Sequence, residues 1–298
     1  VRALRTDATQ PADTGFRINP QVGAGDIGAM STATPSSKFG VALDDEGNRE
    51  ALIECYGSHG WLNSLHTHVG SQGCSLELMT AGVKKVVELA NEINDHAGRR
   101  QVDVIDIGGG LPVNFDSEEV TPTFAEYADR LNEHAPALFD GRYRVKTEFG
   151  RSVLAKSGFI VSRVEYTKTS GGRRIAITHA GAQVATRTVF MPDYWQIRVS
   201  VHGPDGRKKA GPAVDQDVAG PLCFAGDLVA TERPLPLIEP GDHVVLHDTG
   251  AYYFSNPFSY NALPAPAVYG VDTNPDGSVS LDCWRQQQSL DDMLVLVG

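Results

Sequence analysis

The chain offers little to a metal cluster, a disulfide framework or a membrane. Its four cysteines, Cys55, Cys74, Cys223 and Cys283, include no Cys-x-x-Cys pair. Neither a structural zinc site nor a disulfide scaffold is indicated, and free thiols in a reducing cytoplasm are the simplest account. No run of about 18 apolar residues is available to cross a bilayer, and Val1-Arg2-Ala3-Leu4 lacks the apolar core of a signal peptide. Positive charge is scarce as well: 26 Lys and Arg against 37 Asp and Glu leave a net charge of −11, with no Lys/Arg-rich tract. A nucleic-acid partner would need the opposite field. What remains, 298 residues with 41% hydrophobic and 21% charged, is enough for two packed cores in a cytoplasmic protein with neither nucleic acid nor membrane as partner. With a start at Val, in what reads as a connecting segment, residues before it are expected to be missing.

What is present is a repeated construction. From Arg17 to Ser152 an apolar strand ends in Gly, Ser, His or acidic residues, and a helix-patterned stretch follows. Gly15 to Pro20 reads as a short strand stopped by Asn-Pro, and residues 23–37 as loop. Trp61 to Val69 reads as a second strand, ending in His68-Val69-Gly70-Ser71-Gln72. Met79, Val83, Val86, Val87, Ala90 and Ile93 then recur at helical spacing, with Glu77, Lys84, Lys85, Glu88 and Glu92 off the stripe. Val102 to Ile107 is a nearly continuous apolar run, as in a strand buried on both faces, and it leads into Gly108-Gly109-Gly110. Phe124, Tyr127, Ala128 and Leu131 mark a further helix. Tyr143 to Thr147 is a strand that ends in Glu148-Phe149-Gly150-Arg151. The last three tips lie about 40 residues apart, the length of a strand-helix unit. Beyond Ser152, segments 157–168, 174–178, 196–202 and 243–247 are short, β-branched and separated by Gly/Pro/Asp turns, which argues an antiparallel β domain. The expected fold is therefore a TIM-like α/β barrel of which the second half is visible (residues 1–155), followed by a β-sandwich or barrel domain (156–298). A full barrel needs eight units and about 250 residues. Four are visible, so the first half is expected upstream or on another chain.

Loops after parallel strands gather on one face of a barrel, where its chemistry sits. Backbone N–H groups of Gly108 to Gly110, expected at a helix start, together with Arg151 and the Ser71 hydroxyl, suit an anion, best a phosphate. Each alone has an ordinary alternative: a tight glycine turn, a surface arginine, a core histidine at His68. Their joint order favours the pocket.

At this level the sequence resembles the fold-type III pyridoxal-phosphate decarboxylases, the diaminopimelate, ornithine and arginine group, with order and spacing nearest the diaminopimelate branch. The residues that carry the resemblance are Leu65 to Gln72, Ile105 to Leu111, Glu148 to Ser152, Cys223-Phe224-Ala225-Gly226-Asp227, Gly250-Ala251-Tyr252 and Phe258 to Asn261, with Arg17 to Pro20 and Lys38 to Gly40 in support. The resemblance implies pyridoxal 5'-phosphate as cofactor, an amino acid as substrate, and a homodimer with shared active sites. By the same resemblance His68 stacks on the pyridine ring, and Ser71, Gly108, Gly109, Gly110, Gly150, Arg151 and Tyr252 hold the cofactor around its phosphate. Glu148 faces the pyridine nitrogen and keeps it protonated, which favours decarboxylation over racemisation. Cys223 enters the neighbouring subunit's site to handle the proton at the reacting carbon, so the expected catalytic set is Cys223, Glu148 and His68. Arg187, Phe224 and Tyr260 are expected to meet the substrate, Arg187 through a carboxylate. A racemase or other lyase on the same scaffold, and a non-catalytic regulatory homologue, are the alternatives.

Three departures qualify this. The strand that carries the family's cofactor lysine is not among those visible, and Lys38, Lys84, Lys85 and Lys146 do not match it. Phe149 stands where the family has proline. Phe224 follows Cys223, where the family normally has Glu or Asp for a distal ammonium. Loss of that carboxylate removes the partner a desolvated ammonium needs. The expected substrate is therefore not a free basic amino acid but one with an apolar, acylated or carrier-linked distal end.

Overall fold

The computed structural model describes residues 13–297 and divides the chain into two compact units, Val1–Ala155 and Lys156–Gly298. In the first unit β1 (Gly15–Asn19), β2 (Val41–Ala42), β3 (Ser64–Thr67), β4 (Val104–Asp106) and β5 (Arg144–Lys146) form one wholly parallel sheet in the order β2-β1-β3-β4-β5. Beyond the short β2, each strand lies beside the next one in sequence. That one-way order is the winding of a barrel wall; a doubly wound sheet reverses its strand order.

The helices of this unit are α1 (Asn48–Ser58), α2 (Leu76–Ala97), α3 (Phe124–His134) and the single turn α4 (Arg151–Leu154). Helix α2 follows its periodicity closely. The six stripe residues are buried, the Ser75 side chain accepts from Leu78 N–H, and Gly98 ends the helix at φ 61°. With Ile18, Leu65 and Ile105 of the sheet, each at most 1% exposed, that stripe forms the core of the unit. Helix α3 is only partly as expected. Tyr127 and Leu131 are buried, whereas Phe124 and Ala128 are exposed; Phe124 instead sets its ring edge-on against Phe149 at 4.9 Å. A second expectation fails in this unit. Gly108 to Gly110 do not open a helix: residues 107–123 run as irregular loop and α3 begins only at Phe124.

The second unit is built on a six-stranded sheet of β6 (Ile160–Ser170), β7 (Arg173–Thr178), β8 (Val199–His202), β9 (Ala213–Ala219), β10 (Leu228–Pro236) and β11 (His243–Leu246). Their order is β10-β9-β7-β6-β11-β8. All pairs are antiparallel except β7–β9, which is parallel. A hairpin of β12 (Val268–Thr273) and β13 (Val279–Arg285) and two helices, α5 (Ala182–Phe190) and α6 (Leu290–Val297), complete it. Trp195 and Ile197 are fully buried, and Val164, Val218, Val244 and Leu246 join them in the core. Among the described residues no helix is long and apolar enough to cross a membrane.

Candidate functional site

The C-terminal ends of β1, β3, β4 and β5 lie in one register. Arg17 pairs with His66, His66 with Asp106, and Asp106 with Lys146, so the four side chains form a row across one face of the sheet. Two residues further on, the period of a strand places His68, Gly108 and Glu148 in the next row. Glu148 Oε2 stands 3.5 Å from His66 Nε2 and 3.7 Å from His68 Nδ1. Donor atoms of His66, Asp106 and Glu148 all lie within 4.8 Å of one another.

The protonation of His68 follows from its surroundings. Gly109 N–H donates to Nδ1 at 3.1 Å, so that nitrogen is an acceptor and the ring is neutral. Burial, reinforced by the positive charge of Arg17, pulls its pKa below the ordinary 6.5, while Glu148 opposes the shift. The close approach of Glu148 to Nδ1 is therefore no ion pair. Arg17 holds the chain here: its Nη2 donates to the His68 carbonyl at 3.4 Å and its guanidinium lies 4.5 Å from the Phe39 ring centroid. The Thr32 hydroxyl donates to the same carbonyl.

The glycine loops come together at backbone contact. A Cβ at Gly110 would lie 1.9 Å from the Gly70 carbonyl oxygen, one at Gly109 2.4 Å from that of Glu148, and one at Gly108 2.4 Å from that of Thr67. Gly108 and Gly110 also hold φ of +69° and +95°. The Gln72 side-chain amide clips the two loops, donating to the Val113 carbonyl at 2.7 Å and accepting from Val113 N–H at 2.9 Å. Beside them Arg151, 5% exposed, donates from Nη2 to Ser71 Oγ at 3.3 Å. Of the three glycine N–H groups, that of Gly108 donates to Asp106 Oδ1 and that of Gly109 to His68. A phosphate at this cradle would thus be met first by Ser71, Gly110 and Arg151. Gly150 precedes Arg151 as the N-cap of α4.

The remaining expected residues belong to the second unit. Asp227, 3% exposed, accepts from Ala182 N–H and Leu222 N–H, both at 2.7 Å. Gly181 and Gly220 press on it so closely that a Cβ would come within 2.4 and 2.3 Å of its carboxylate. This clamp fixes the start of α5 and the loop that carries Cys223. The Cys223 thiol is exposed; its N–H donates to Asn261 Oδ1 at 2.7 Å and its carbonyl accepts from Tyr260 Oη at 3.3 Å. Phe224 stacks on Phe190 at 5.6 Å. Arg187, on α5, lies with its guanidinium 5.3 Å from the Trp195 ring and 5.2 Å from that of Tyr252. Tyr252 has φ +63°, a left-handed conformation held in a loop beside the buried Asp248, which pairs with Lys156 and Arg198 at 3.1 Å.

Within the first unit the structure brings His68, Ser71, Gly108 to Gly110, Glu148, Gly150 and Arg151 together; within the second it brings Arg187 to Tyr252 and Cys223 to Phe224 and Tyr260. Sequence reasoning assigned no role to His66, Asp106, Gln72 or Asp227. The His66-Thr67-His68 alternation carried the signal for the first, since i and i+2 share a strand face.

Comparison with known proteins points the same way. Residues 2–155 match the model described as the pyridoxal-dependent decarboxylase, pyridoxal binding domain. The diaminopimelate decarboxylase of Methanothermobacter thermautotrophicus is 31% identical over 94% of this chain and 63% of its own length. That of Escherichia coli K12 is 30% identical over 94% and 66%. Among solved structures, diaminopimelate decarboxylase from Helicobacter pylori complexed with L-lysine superposes with a TM-score of 0.77 at 26% identity, covering 94% of this chain and 66% of that one. The chain thus spans just under two thirds of the length of the relatives it matches.

Proposed function

The chain belongs to the pyridoxal-dependent decarboxylases, and from that premise we propose that it serves the decarboxylation of an amino acid with pyridoxal phosphate as cofactor. The observation that carries the proposal is the convergence of His68, Glu148, Ser71 and Arg151 around glycine loops too close-packed to admit a Cβ. These residues fit the cofactor. Ser71, Gly110 and Arg151 would hold its phosphate, and neutral His68 offers a flat face for the ring. When bound, the cofactor supplies an electron sink for the pair left on carbon as CO2 departs. Glu148 Oε2, 3.5 Å from His66 Nε2, would hold the proton on the ring nitrogen. Cys223 Sγ, on an exposed loop, delivers a proton to the reacting carbon in the site of a second copy, which makes the active protein a homodimer.

For the substrate, the name shared by the relatives suggests a diamino acid, and the Helicobacter structure holds L-lysine. Phe224 is the observation against carrying that over: an aromatic ring gives a desolvated distal ammonium no counter-charge. The substrate is therefore an amino acid without a free distal ammonium.

The test is cofactor uptake by the full-length protein, followed by the absorbance of bound pyridoxal phosphate after dialysis. Wild type retains the cofactor, Arg151→Gln loses at least about tenfold in affinity, and inorganic phosphate competes. Failure of the wild type to retain it, or indifference to Arg151, overturns the reading.

A further inference from the structure

His66 brings a spare ring nitrogen to the strand tips. Its Nε2 is buried and makes no hydrogen bond, and a buried nitrogen left unpaired costs free energy that a partner would recover. Glu148 Oε2 stands 3.5 Å from it. The Glu148 side chain is half exposed, at 49%, and its neighbours at this distance are the two histidines. Of these, His68 has its facing nitrogen committed, since Nδ1 accepts from Gly109 N–H. His66 has its facing nitrogen free.

The remaining charged groups of the two rows are engaged elsewhere. Arg17 Nη2 donates to the His68 carbonyl, Lys146 Nζ pairs with Asp13 at 2.6 Å, and Asp106 Oδ1 accepts from Gly108 N–H at 3.0 Å. Asp106 nevertheless keeps a carboxylate oxygen within 4.8 Å of both His66 and Glu148. An ionised carboxylate only accepts, so an imidazole between two of them serves as donor, with its hydrogen on the nitrogen that faces Glu148.

We propose that His66 is a positioning residue: it donates Nε2–H to Glu148 Oε2 and holds that carboxylate against the nitrogen of the bound pyridine ring. A carboxylate tied in this way does not swing out to solvent, and the ring nitrogen keeps its partner while charge develops. The 3.5 Å contact has to shorten by only about half an ångström to reach an ordinary N–H···O distance. Such bonds are often long until a ligand draws the acceptor into place. The proposal rests on the reading of Glu148 as the partner of the ring nitrogen.

The test loads the full-length protein with pyridoxal phosphate carrying nitrogen-15 in its ring and follows that nitrogen by NMR as the pH is raised. The signal reports whether the nitrogen holds a proton. Wild type keeps the proton, and Glu148→Ala loses it. His66→Leu deprotonates at least about one pH unit lower than wild type, whereas His66→Gln, which retains an N–H donor, stays within about half a unit. In His66→Leu kcat for CO2 release falls at least about tenfold with KM within a few-fold. An unchanged titration in His66→Leu, or equal shifts in His66→Leu and His66→Gln, overturns the proposal and leaves the role of Glu148 standing. A ring nitrogen without a proton in wild type, or one indifferent to Glu148→Ala, overturns both. A measurement that needs no change at His66 covers the case in which His66→Leu fails to fold. In the loaded protein with labelled histidine the Nε2–H signal of His66 is present and moves in Glu148→Gln; a His66 Nε2 that carries no hydrogen, or a signal that does not move, overturns the proposal.

Discussion

At the scale of single residues the site is governed by what each polar group can still donate or accept. His68 is the clearest case. Its Nδ1 is occupied by Gly109 N–H, and burial with Arg17 nearby holds its pKa below 6.5. In the unfolded chain the ring takes up a proton as the pH falls through about 6.5, while in the folded protein it resists. The unfolded state then binds more protons, so the stability contributed by neutral His68 is complete above the unfolded pKa and is lost on acidification below it. His68→Asn keeps an acceptor for Gly109 but cannot titrate. Between about pH 7 and pH 5 the wild type should therefore lose more stability to chemical denaturation than His68→Asn does; parallel losses would contradict the assignment of a neutral, buried imidazole. The surrounding Arg17, His66, Asp106 and Glu148 are common to both proteins and cancel in the difference.

At the scale of elements, short backbone clamps set the positions of side chains that share no strand. Asp227 joins the start of α5 to the Cys223 loop through two N–H donors, with glycines on both sides. Asp227→Asn leaves one of those N–H groups facing an amide NH2 in a buried place, which should cost about 2–4 kcal/mol in denaturant unfolding monitored by the buried Trp195; a cost below about 0.5 kcal/mol would mean the clamp is not formed. The legibility of the elements follows from the same local physics. Helix α2 was readable because nine of its residues are buried along one stripe and it is capped at both ends. Helix α1 was not, since only Leu52 and Tyr56 are buried and its apolar residues follow no stripe. Helix α5 escaped notice because it is short and broken by a non-helical Ala185, so its periodicity never extends over enough turns. Strands β9 and β10 hide behind Asp215, Asp217, Glu232, Pro234 and Pro236, residues that ordinarily mark turns.

At the scale of the molecule, the one-way strand order places all the recognisable tips on one end of the first unit's sheet. That is why motifs scattered between Arg17 and Arg151 read as one site from the sequence. The packing that makes it a site could not be read. Nothing local in the sequence pairs Gln72 with Val113 or sets Gly110 on the Gly70 carbonyl, because such contacts depend on how two loops cross. The most direct test of the central claim is release of labelled CO2 from carboxyl-labelled amino acids by the full-length protein with pyridoxal phosphate, beside Glu148→Ala. Decarboxylation at this site predicts cofactor-dependent CO2 that falls by at least about a hundredfold in the variant, the scale on which a positioned proton-holding group contributes. Cofactor binding without CO2 release, or release indifferent to Glu148, would contradict it.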